Sequence, residues 1–268
     1  MIEKYFFIPA SNKKYIENAK LIDADYFIYD LEDSILNRDL RLAVDNLKIV
    51  EFNKNSWIRV PFPYRTELVR DLELDGCMNF VIPKVRSVED VHKFIDCFSL
   101  LENKSLCVLI ENPLSLINLA AIINSSTLVK VVSLGSHDYS ASLGMQHDFD
   151  LLFFARNVLL NNSVAYGRYA IDVASMEITD VAGLRKEFIS AVRMGFSGKF
   201  FLHPIQLEIY NSTKFFSESE VQIATEIISK LNGLKDIEAI EHRGRIYEKV
   251  HLLNLQKIVK WSHTVENK

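Results

Sequence analysis

The sequence lacks the features that mark several protein classes. Its three cysteines, Cys77, Cys97 and Cys107, form no Cys-x-x-Cys pair and are odd in number, so we expect buried, reduced thiols. No window approaches the roughly 20 apolar residues that a membrane span needs. The first residues, Met1 to Pro9, lack the long apolar region of a signal peptide. We therefore expect a cytoplasmic protein without a membrane partner.

An excess of basic charge is also absent. The formal net charge is −4 and the isoelectric point is about 6.0, so electrostatics give no case for a nucleic-acid partner. What remains is ordinary globular composition, with 49% hydrophobic and 25% charged residues. The length of 268 residues suits an α/β barrel, which commonly takes about 250 residues.

Short apolar runs that are rich in β-branched and aromatic residues alternate with longer amphipathic runs. We interpret the short runs as eight strands and the long ones as helices. The predicted strands are Tyr5–Ile8, Tyr26–Tyr29, Ser56–Val60, Asn79–Ile82, Leu106–Ile110, Lys130–Leu134, Arg168–Ile171 and Phe200–Leu202. The predicted helices between them are Lys13–Leu21, Arg41–Val50, Val88–Leu101 with Ser87 as N-cap, Leu116–Ile123, Leu151–Ala165 and Val181–Met194.

This alternation predicts parallel strands and right-handed crossovers, and eight such units favour a closed (β/α)8 TIM barrel over residues 1–215. An open doubly wound sheet is the alternative. No Gly-x-Gly-x-x-Gly turn follows the first strand, which disfavours its nucleotide-binding version. Residues 216–268 hold two further predicted helices, Glu220–Leu231 and Leu252–Trp261. We expect a C-terminal helical extension that covers the barrel or packs on a neighbouring subunit.

Ionisable side chains follow most of the predicted strands. They are Asp30, Arg59, Lys84, Glu111, Asp138, Asp172 and His203. In a (β/α)8 barrel the carboxyl ends of all strands meet at one face, where such enzymes keep their active sites. We therefore expect these side chains to converge at the barrel mouth.

Glu111 and Asp138 are the candidate metal ligands. Two carboxylates on neighbouring strands can hold Mg²⁺ and leave coordination positions for water and substrate. The alternative is that each caps a helix or pairs with a lysine, and Asn112-Pro113 does look like a helix start.

Arg59 is a candidate catalytic cation, able to bind a carboxylate or to stabilise an enolate oxygen. Its alternative role is a salt bridge to Glu32 or Asp33. Asp30, Glu32 and Asp33 could themselves hold Arg59 or metal-bound waters. Lys84 could form a Schiff base, although a metal is the simpler electrophile. The candidate substrate contacts at this mouth are Arg59, Lys84, Pro113, Gly135 and His203.

Nine short motifs resemble, in order, those of the HpcH/HpaI aldolase and citrate lyase beta-subunit superfamily. They are Phe7-Ile-Pro-Ala-Ser-Asn12, Tyr29-Asp-Leu-Glu-Asp-Ser34, Ile58-Arg-Val60, Ile82-Pro-Lys-Val85, Leu109-Ile-Glu-Asn-Pro-Leu114, Leu134-Gly-Ser-His-Asp-Tyr139, Ala170-Ile-Asp172, Gly195-Phe-Ser-Gly-Lys199 and Leu202-His-Pro-Ile-Gln206.

The resemblance implies a carbon–carbon lyase that uses Mg²⁺ on Glu111 and Asp138, with Arg59 near the reacting carbonyl. The implied substrates are an oxo or hydroxy acid and an acyl unit carried as a thioester on CoA or an acyl carrier. The metal chelates the acid, and the acyl unit passes through an enolate. A homo-oligomer, specifically a homotrimer, is implied as well.

Three positions depart from the family pattern. Lys4-Tyr5 replaces Arg-Ser, Pro61 replaces an asparagine, and Glu248 stands where some relatives have an aspartate that acts across a subunit boundary. A glutamate can do the same acid–base work. The departures predict a divergent member with its own substrate. They leave open a thioester hydrolase, a metal-dependent aldolase without CoA, and a catalytically idle barrel that serves as a subunit or binding module.

Overall fold

Eight parallel strands close a barrel in chain order, β1 to β8, which confirms the (β/α)8 prediction. The strands are β1 (Glu3–Pro9), β2 (Tyr26–Asp30), β3 (Ser56–Arg59), β4 (Asn79–Ile82), β5 (Ser105–Ile110), β6 (Val129–Leu134), β7 (Tyr169–Asp172) and β8 (Gly198–Phe201). All eight predicted strands are confirmed, with ends that shift by no more than two residues.

The computed structural model describes residues 2–33, 35–74, 76–98, 103–232 and 239–266. The chain divides into two units, Ile2–Leu207 and Glu208–Lys268. The helices are α1 (Lys13–Asn18), α2 (Leu40–Leu47), α3 (Thr66–Leu74), α4 (Val88–Ile95), α5 (Pro113–Ile117), α6 (Leu119–Asn124), α7 (Ser136–Leu143), α8 (Phe153–Ala165), α9 (Val181–Met194), α10 (Pro204–Asn211), α11 (Glu218–Asn232) and α12 (Leu252–Glu266). Short 3-10 turns cover Ala19–Leu21, Asn37–Asp39 and Lys249–His251.

The predicted helices differ from the structure mainly at their ends. The predicted helix over 116–123 is two helices, α5 and α6, because Asn118 between them leaves helical geometry. The helix predicted over 88–101 ends at Ile95, and residues 99–102 lie outside the described residues. Ser87 is its N-cap, as predicted, within a capping box that Asp90 completes. Helices α3, α7 and α10 were not predicted.

Every strand contributes at least one buried side chain to the barrel lumen. The buried residues of this core are Tyr5, Ile28, Trp57, Val81, Cys107, Leu109, Val131, Ile171 and Phe200. Because side chains alternate along a strand, the neighbours of these residues point outward to the helices. The three cysteines are buried and free, as predicted.

The second unit has its own small core. Helix α11 packs with α12 around Ala224, Ile227, Leu231 and Leu255, next to an antiparallel hairpin of β9 (Ala239–His242) and β10 (Arg245–Glu248). Arg243 and Gly244 at its turn both have positive φ, as a two-residue hairpin turn requires. Across the described ranges, no helix combines the length and the hydropathy needed to cross a membrane.

Candidate active site at the barrel mouth

A cavity of about 390 Å³ opens at the carboxyl ends of the strands. Its lining contains six of the residues singled out from the sequence. They are Asp30, Asp33, Arg59, Glu111, Gly135 and Asp138. The sequence reasoning therefore placed most of the charged lining correctly, because strand ends in a closed parallel barrel share one face.

Arg59 is held rigidly by carboxylates of the β2 end. Strand register sets Arg59 beside Asp30. Its Nε and Nη2 donate to the two Asp30 carboxylate oxygens at 2.6 and 2.8 Å. Its Nη1 lies 3.2 Å from both Glu32 Oε2 and Asp33 Oδ2, and its guanidinium lies over the Phe7 ring. Burial would lower the pKa of Arg59, but these carboxylates outweigh that effect and raise it, so Arg59 is a permanent cation.

Lys84 connects this carboxylate group to Glu111. Its Nζ lies 2.7 Å from Glu32 Oε1, and its backbone N–H donates to Glu111 Oε2 at 2.9 Å. The residue has a φ of 56°, a left-handed conformation that is rare for a side chain of this size. This strained backbone aims the N–H at Glu111 while the side chain reaches Glu32.

Glu111 is packed tightly between Lys84 and Gly135. A Cβ at position 135 would lie 2.4 Å from Glu111 Cγ and 2.8 Å from its Oε1. Only glycine fits there, although its φ of −78° is ordinary, so the requirement is space rather than backbone conformation. Any side chain at position 135 would displace the Glu111 carboxylate.

The Glu111 carboxyl lies in an unfavourable place for a negative charge. Burial, together with the charges of Glu32 and Asp138, raises its pKa to about 8, against an ordinary value of 4.5. The Lys84 N–H and Arg59 oppose this rise without cancelling it. Burial raises the pKa of Glu32 as well, against the opposing effect of Arg59 and Lys84. A further positive charge would therefore stabilise this site.

Asp138 lies in the first turn of α7, exposed at the cavity wall. Its neighbour His137 also lines the cavity and stacks on His147, with ring centroids 3.7 Å apart. His147 Nε2 is 3.1 Å from Ser136 Oγ, also in the lining. Neither histidine was singled out from the sequence. The adjacent pattern Ser136-His137-Asp138 at a helix start was the available signal.

The prediction that Asp172 faces the mouth is wrong. Asp172 is fully buried and points away from the lumen, where it binds Arg156 of α8 in a bidentate pair at 2.8 and 2.9 Å. Lys199 of β8 lies 3.6 Å from Asp172 and 3.5 Å from Glu187 of α9. We call Arg156, Asp172, Glu187 and Lys199 the outer cluster. Because Asp172 pairs with Lys199, β7 continues for one residue beyond the predicted end. Side chains alternate along a strand, so the side chain of Asp172 points outward while that of Ile171 points into the lumen.

Glu32, Lys84, Pro113 and His203, also predicted as site residues, are outside the cavity lining, and the last two lie at helix starts. Pro113 is the first residue of α5, behind the Asn112 N-cap whose side chain accepts from Ser115 N. His203 Nδ1 accepts from the Ile205 backbone N–H at 3.2 Å at the start of α10. Both therefore shape helix starts, and their substrate roles remain predictions.

Glu248 belongs to the second unit. Its carboxylate accepts the His251 backbone N–H in a capping box at the start of the 3-10 turn that precedes α12. The His251 ring returns a contact, with Nδ1 2.9 Å from the Glu248 backbone N. This explains locally why an acidic residue stands there. Its acid–base role remains a prediction.

A family model described as HpcH/HpaI aldolase/citrate lyase matches residues 4–204, which is most of the chain. The chain belongs to this family. The resemblance that the nine motifs predicted is thereby confirmed.

Named relatives in this family cover nearly the whole chain. Citrate lyase subunit beta of Leuconostoc mesenteroides subsp. cremoris is 23% identical, over 95% of this chain and 91% of its own length. A (3S)-malyl-CoA thioesterase of Cereibacter sphaeroides is 28% identical, over 94% and 91%. A crystal structure of CitE from Mycobacterium tuberculosis with magnesium and acetoacetate is 25% identical with a TM-score of 0.67, covering 78% of this chain and 88% of CitE.

Proposed function

We propose that this member of the HpcH/HpaI family is a Mg²⁺-dependent carbon–carbon lyase. It cleaves or forms the bond between an oxo acid and an acyl unit that is carried as a thioester. The observation that carries the proposal is the charge of the mouth cluster, which we define as Asp30, Glu32, Asp33, Arg59, Lys84, Glu111 and Asp138. Its five carboxylates and two cations give the cluster a net charge of −3 when all are ionised.

The donor set of this cluster fits magnesium. Mg²⁺ prefers oxygen ligands and is commonly held by one or two carboxylates, with waters and substrate completing the octahedron. Glu111 and Asp138 supply two such carboxylates at one cavity wall. Within the described ranges, no group of three or more His, Cys, Asp or Glu side chains is arranged to hold a metal ion. Waters and substrate would therefore supply the remaining ligands of the ion. CitE, a relative with the same barrel, carries magnesium and acetoacetate in its crystal structure.

Each residue of the cluster has a distinct proposed task. Glu111 and Asp138 would hold the ion, which when bound polarises the oxo group of the acid. Asp30 fixes Arg59 through two hydrogen bonds, so that the guanidinium faces the cavity as a preorganised positive charge. Such a charge stabilises the oxygen of an enolate as negative charge develops on it. Glu32 and Asp33 complete the support of Arg59, and Lys84 secures Glu32.

Thioester hydrolysis is the second candidate function. The supporting observation is the malyl-CoA thioesterase relative, which is 28% identical to this chain, against 23% for the citrate lyase subunit. The same metal and the same Arg59 would serve a hydrolase, because both reactions place negative charge on the thioester oxygen. Product analysis separates the two: a lyase releases an oxo acid and an acyl thioester, whereas a hydrolase releases free thiol.

We further propose a cytoplasmic homotrimer in which Glu248 contributes acid–base chemistry to a neighbouring barrel. The support is the sequence resemblance together with the exposed position of Glu248 in its own chain. Light scattering tests the assembly, and a monomer at micromolar concentration would contradict it.

The deciding experiment titrates Mg²⁺ against the wild type, Glu111→Ala and Asp138→Ala, with malyl-, citramalyl- and citryl-thioesters as substrates. We expect Mg²⁺-dependent cleavage by the wild type and a loss of at least about 1000-fold in both variants. Asp150→Ala, which removes an exposed carboxylate paired with Lys186, is the matched control and should retain activity. Unchanged activity in both mouth variants would reject the proposal. Absence of Mg²⁺ binding by the wild type would favour the idle barrel.

A further inference from the structure

The lining of the mouth cavity is divided into a charged arc and an apolar arc. In the closed barrel, every ionisable side chain of the described lining lies on β2, β3, β5 or β6 or in the segment that follows one of these strands. Strands β7, β8 and β1 are consecutive around the ring and contribute an uninterrupted apolar wall. The wall consists of Phe7, Pro9, Ala174, Met176, Phe200 and Leu202.

The apolar wall combines a rigid floor with a movable rim. Phe7 and Phe200 pack edge to face with centroids 5.0 Å apart, and Phe200 is almost fully buried. Met176 lies at the entrance and is 59% exposed. Methionine is flexible and apolar, so it can close over alkyl groups of different length. Asp172, the last residue of β7, points away from this wall toward Arg156.

The division orients any chelating ligand. Its oxygen atoms must face the charged arc, where the carboxylates and Arg59 lie. Its opposite end then meets the apolar wall. Arg59 lies over Phe7 at the β1 end of this wall, but the β7 and β8 part contributes no ionisable side chain to the described lining. A charged group placed against Ala174, Met176 and Leu202 would lose its hydration without gaining a partner from that part, which is costly. An alkyl group would gain from burial, at roughly 0.8 kcal/mol per methylene, or about fourfold in affinity.

We propose that this site selects 2-oxo acids whose C2 substituent is an unbranched alkyl group longer than methyl, and that Met176 sets this preference. The inference rests on the proposed function, because it assumes that the acid chelates a cation at Glu111 and Asp138. It adds the class of acid: monocarboxylic and aliphatic rather than dicarboxylic.

Calorimetry at saturating Mg²⁺ tests the proposal with three probes: pyruvate, 2-oxobutyrate and oxaloacetate. Oxaloacetate carries a carboxylate where 2-oxobutyrate carries a methyl group, so the pair isolates the charge. We expect 2-oxobutyrate to bind about fourfold tighter than pyruvate. We expect oxaloacetate to bind at least about tenfold more weakly than 2-oxobutyrate.

Met176→Lys and Ile178→Lys form a matched pair of variants. Both residues are exposed in the same β7–α9 loop, but only Met176 lines the cavity. Met176→Lys should narrow the ratio of 2-oxobutyrate to oxaloacetate affinity by about tenfold, because it gives the second carboxylate a partner. Ile178→Lys should leave the ratio unchanged. Equal effects of the two variants would overturn the role of Met176.

The remaining outcomes separate this inference from the proposed function. Mg²⁺-dependent binding of all three acids with equal affinity would overturn the inference and leave the proposed function intact. No Mg²⁺-dependent binding of any acid would overturn both. A chain-length preference among acetyl-, propionyl- and butyryl-CoA, with none among the oxo acids, would assign the wall to the acyl unit and overturn the inference.

Discussion

The mouth cluster and the outer cluster are both groups of ionisable side chains on the same barrel, yet they differ in charge balance and in burial. The outer cluster pairs two cations with two carboxylates, and Phe149 and Phe196 pack on its Arg156. Its Lys199 also donates to the Val173 backbone oxygen at 2.7 Å. The charges are balanced, and Arg156, Asp172 and Lys199 are almost fully buried, so the cluster needs no ligand.

The mouth cluster is unbalanced and borders a cavity. Its five carboxylates exceed its two cations, and the pKa of Glu111 is raised to about 8 as a consequence of burial and neighbouring carboxylates. A folded protein keeps such an arrangement only at a cost to its own stability. The comparison therefore distinguishes a structural ion group from a site prepared for a cation, although both use the same residue types.

The largest effect is expected from breaking the outer cluster. Asp172→Ala leaves Arg156 and Lys199 buried with too few partners, and truncating one partner of a buried ion pair costs about 3–5 kcal/mol. We expect the free energy of unfolding, measured in urea, to fall by that amount. Asp138→Ala should not lower it, since Asp138 is exposed in an excess of negative charge. Equal losses of unfolding free energy in both variants would show that the two clusters contribute to stability in the same way.

The next effect runs in the opposite direction. Because the folded-state pKa of Glu111 lies above its ordinary value of 4.5, folding favours the protonated form, and stability is lost as pH rises from about 4.5 to about 8. Glu111→Gln removes this loss. We expect the metal-free variant to match the wild type near pH 4.5 and to exceed it by about 1–2 kcal/mol at pH 8.

Thermal unfolding with and without Mg²⁺ measures the stability that the Glu111 carboxylate costs without the ion and the stability that it gains with the ion. The wild type should gain stability on addition of Mg²⁺, and Glu111→Gln should gain little. Asp172→Asn, in the outer cluster, is the matched control and should be destabilised at pH 8, because it deprives the buried Arg156 and Lys199 of a charge partner. A Glu111→Gln variant that is less stable than the wild type at pH 8 would show that the carboxylate is not strained.

The comparison also explains what the sequence could and could not predict. Hydrophobic periodicity located all eight strands, and the strand-end rule then brought Asp30, Arg59, Glu111 and Asp138 to one cavity. The same rule failed for Asp172, because a strand that is one residue longer turns its last side chain to the other face. Strand ends uncertain by one residue therefore cannot separate a mouth residue from an outer one.

Residues of the apolar wall were missed for a different reason. Phe7 and Phe200 have the pattern of core residues, and Met176 has that of a loop residue. Their shared surface exists only because β8 closes on β1, a pairing between the two ends of the barrel sequence. Gly135 was predicted only as a substrate contact. Its contact with Glu111 depends on side-chain positions that periodicity does not specify.

The smallest effect tests the charge imbalance itself. Lys84→Met removes one of the two cations but keeps the side-chain length and the backbone N–H that donates to Glu111. If an excess of negative charge prepares the mouth for a cation, losing Lys84 should tighten Mg²⁺ binding by about two- to fivefold, since its side chain is one-third exposed and partly screened. Calorimetric titration measures the change, and Lys186→Met, which removes an exposed lysine paired with Asp150, provides the control. Weaker Mg²⁺ binding in Lys84→Met would mean that Lys84 acts by holding Glu32 and the cavity wall in place rather than by its charge. In that case the mouth cluster would resemble the outer cluster more than its net charge indicates.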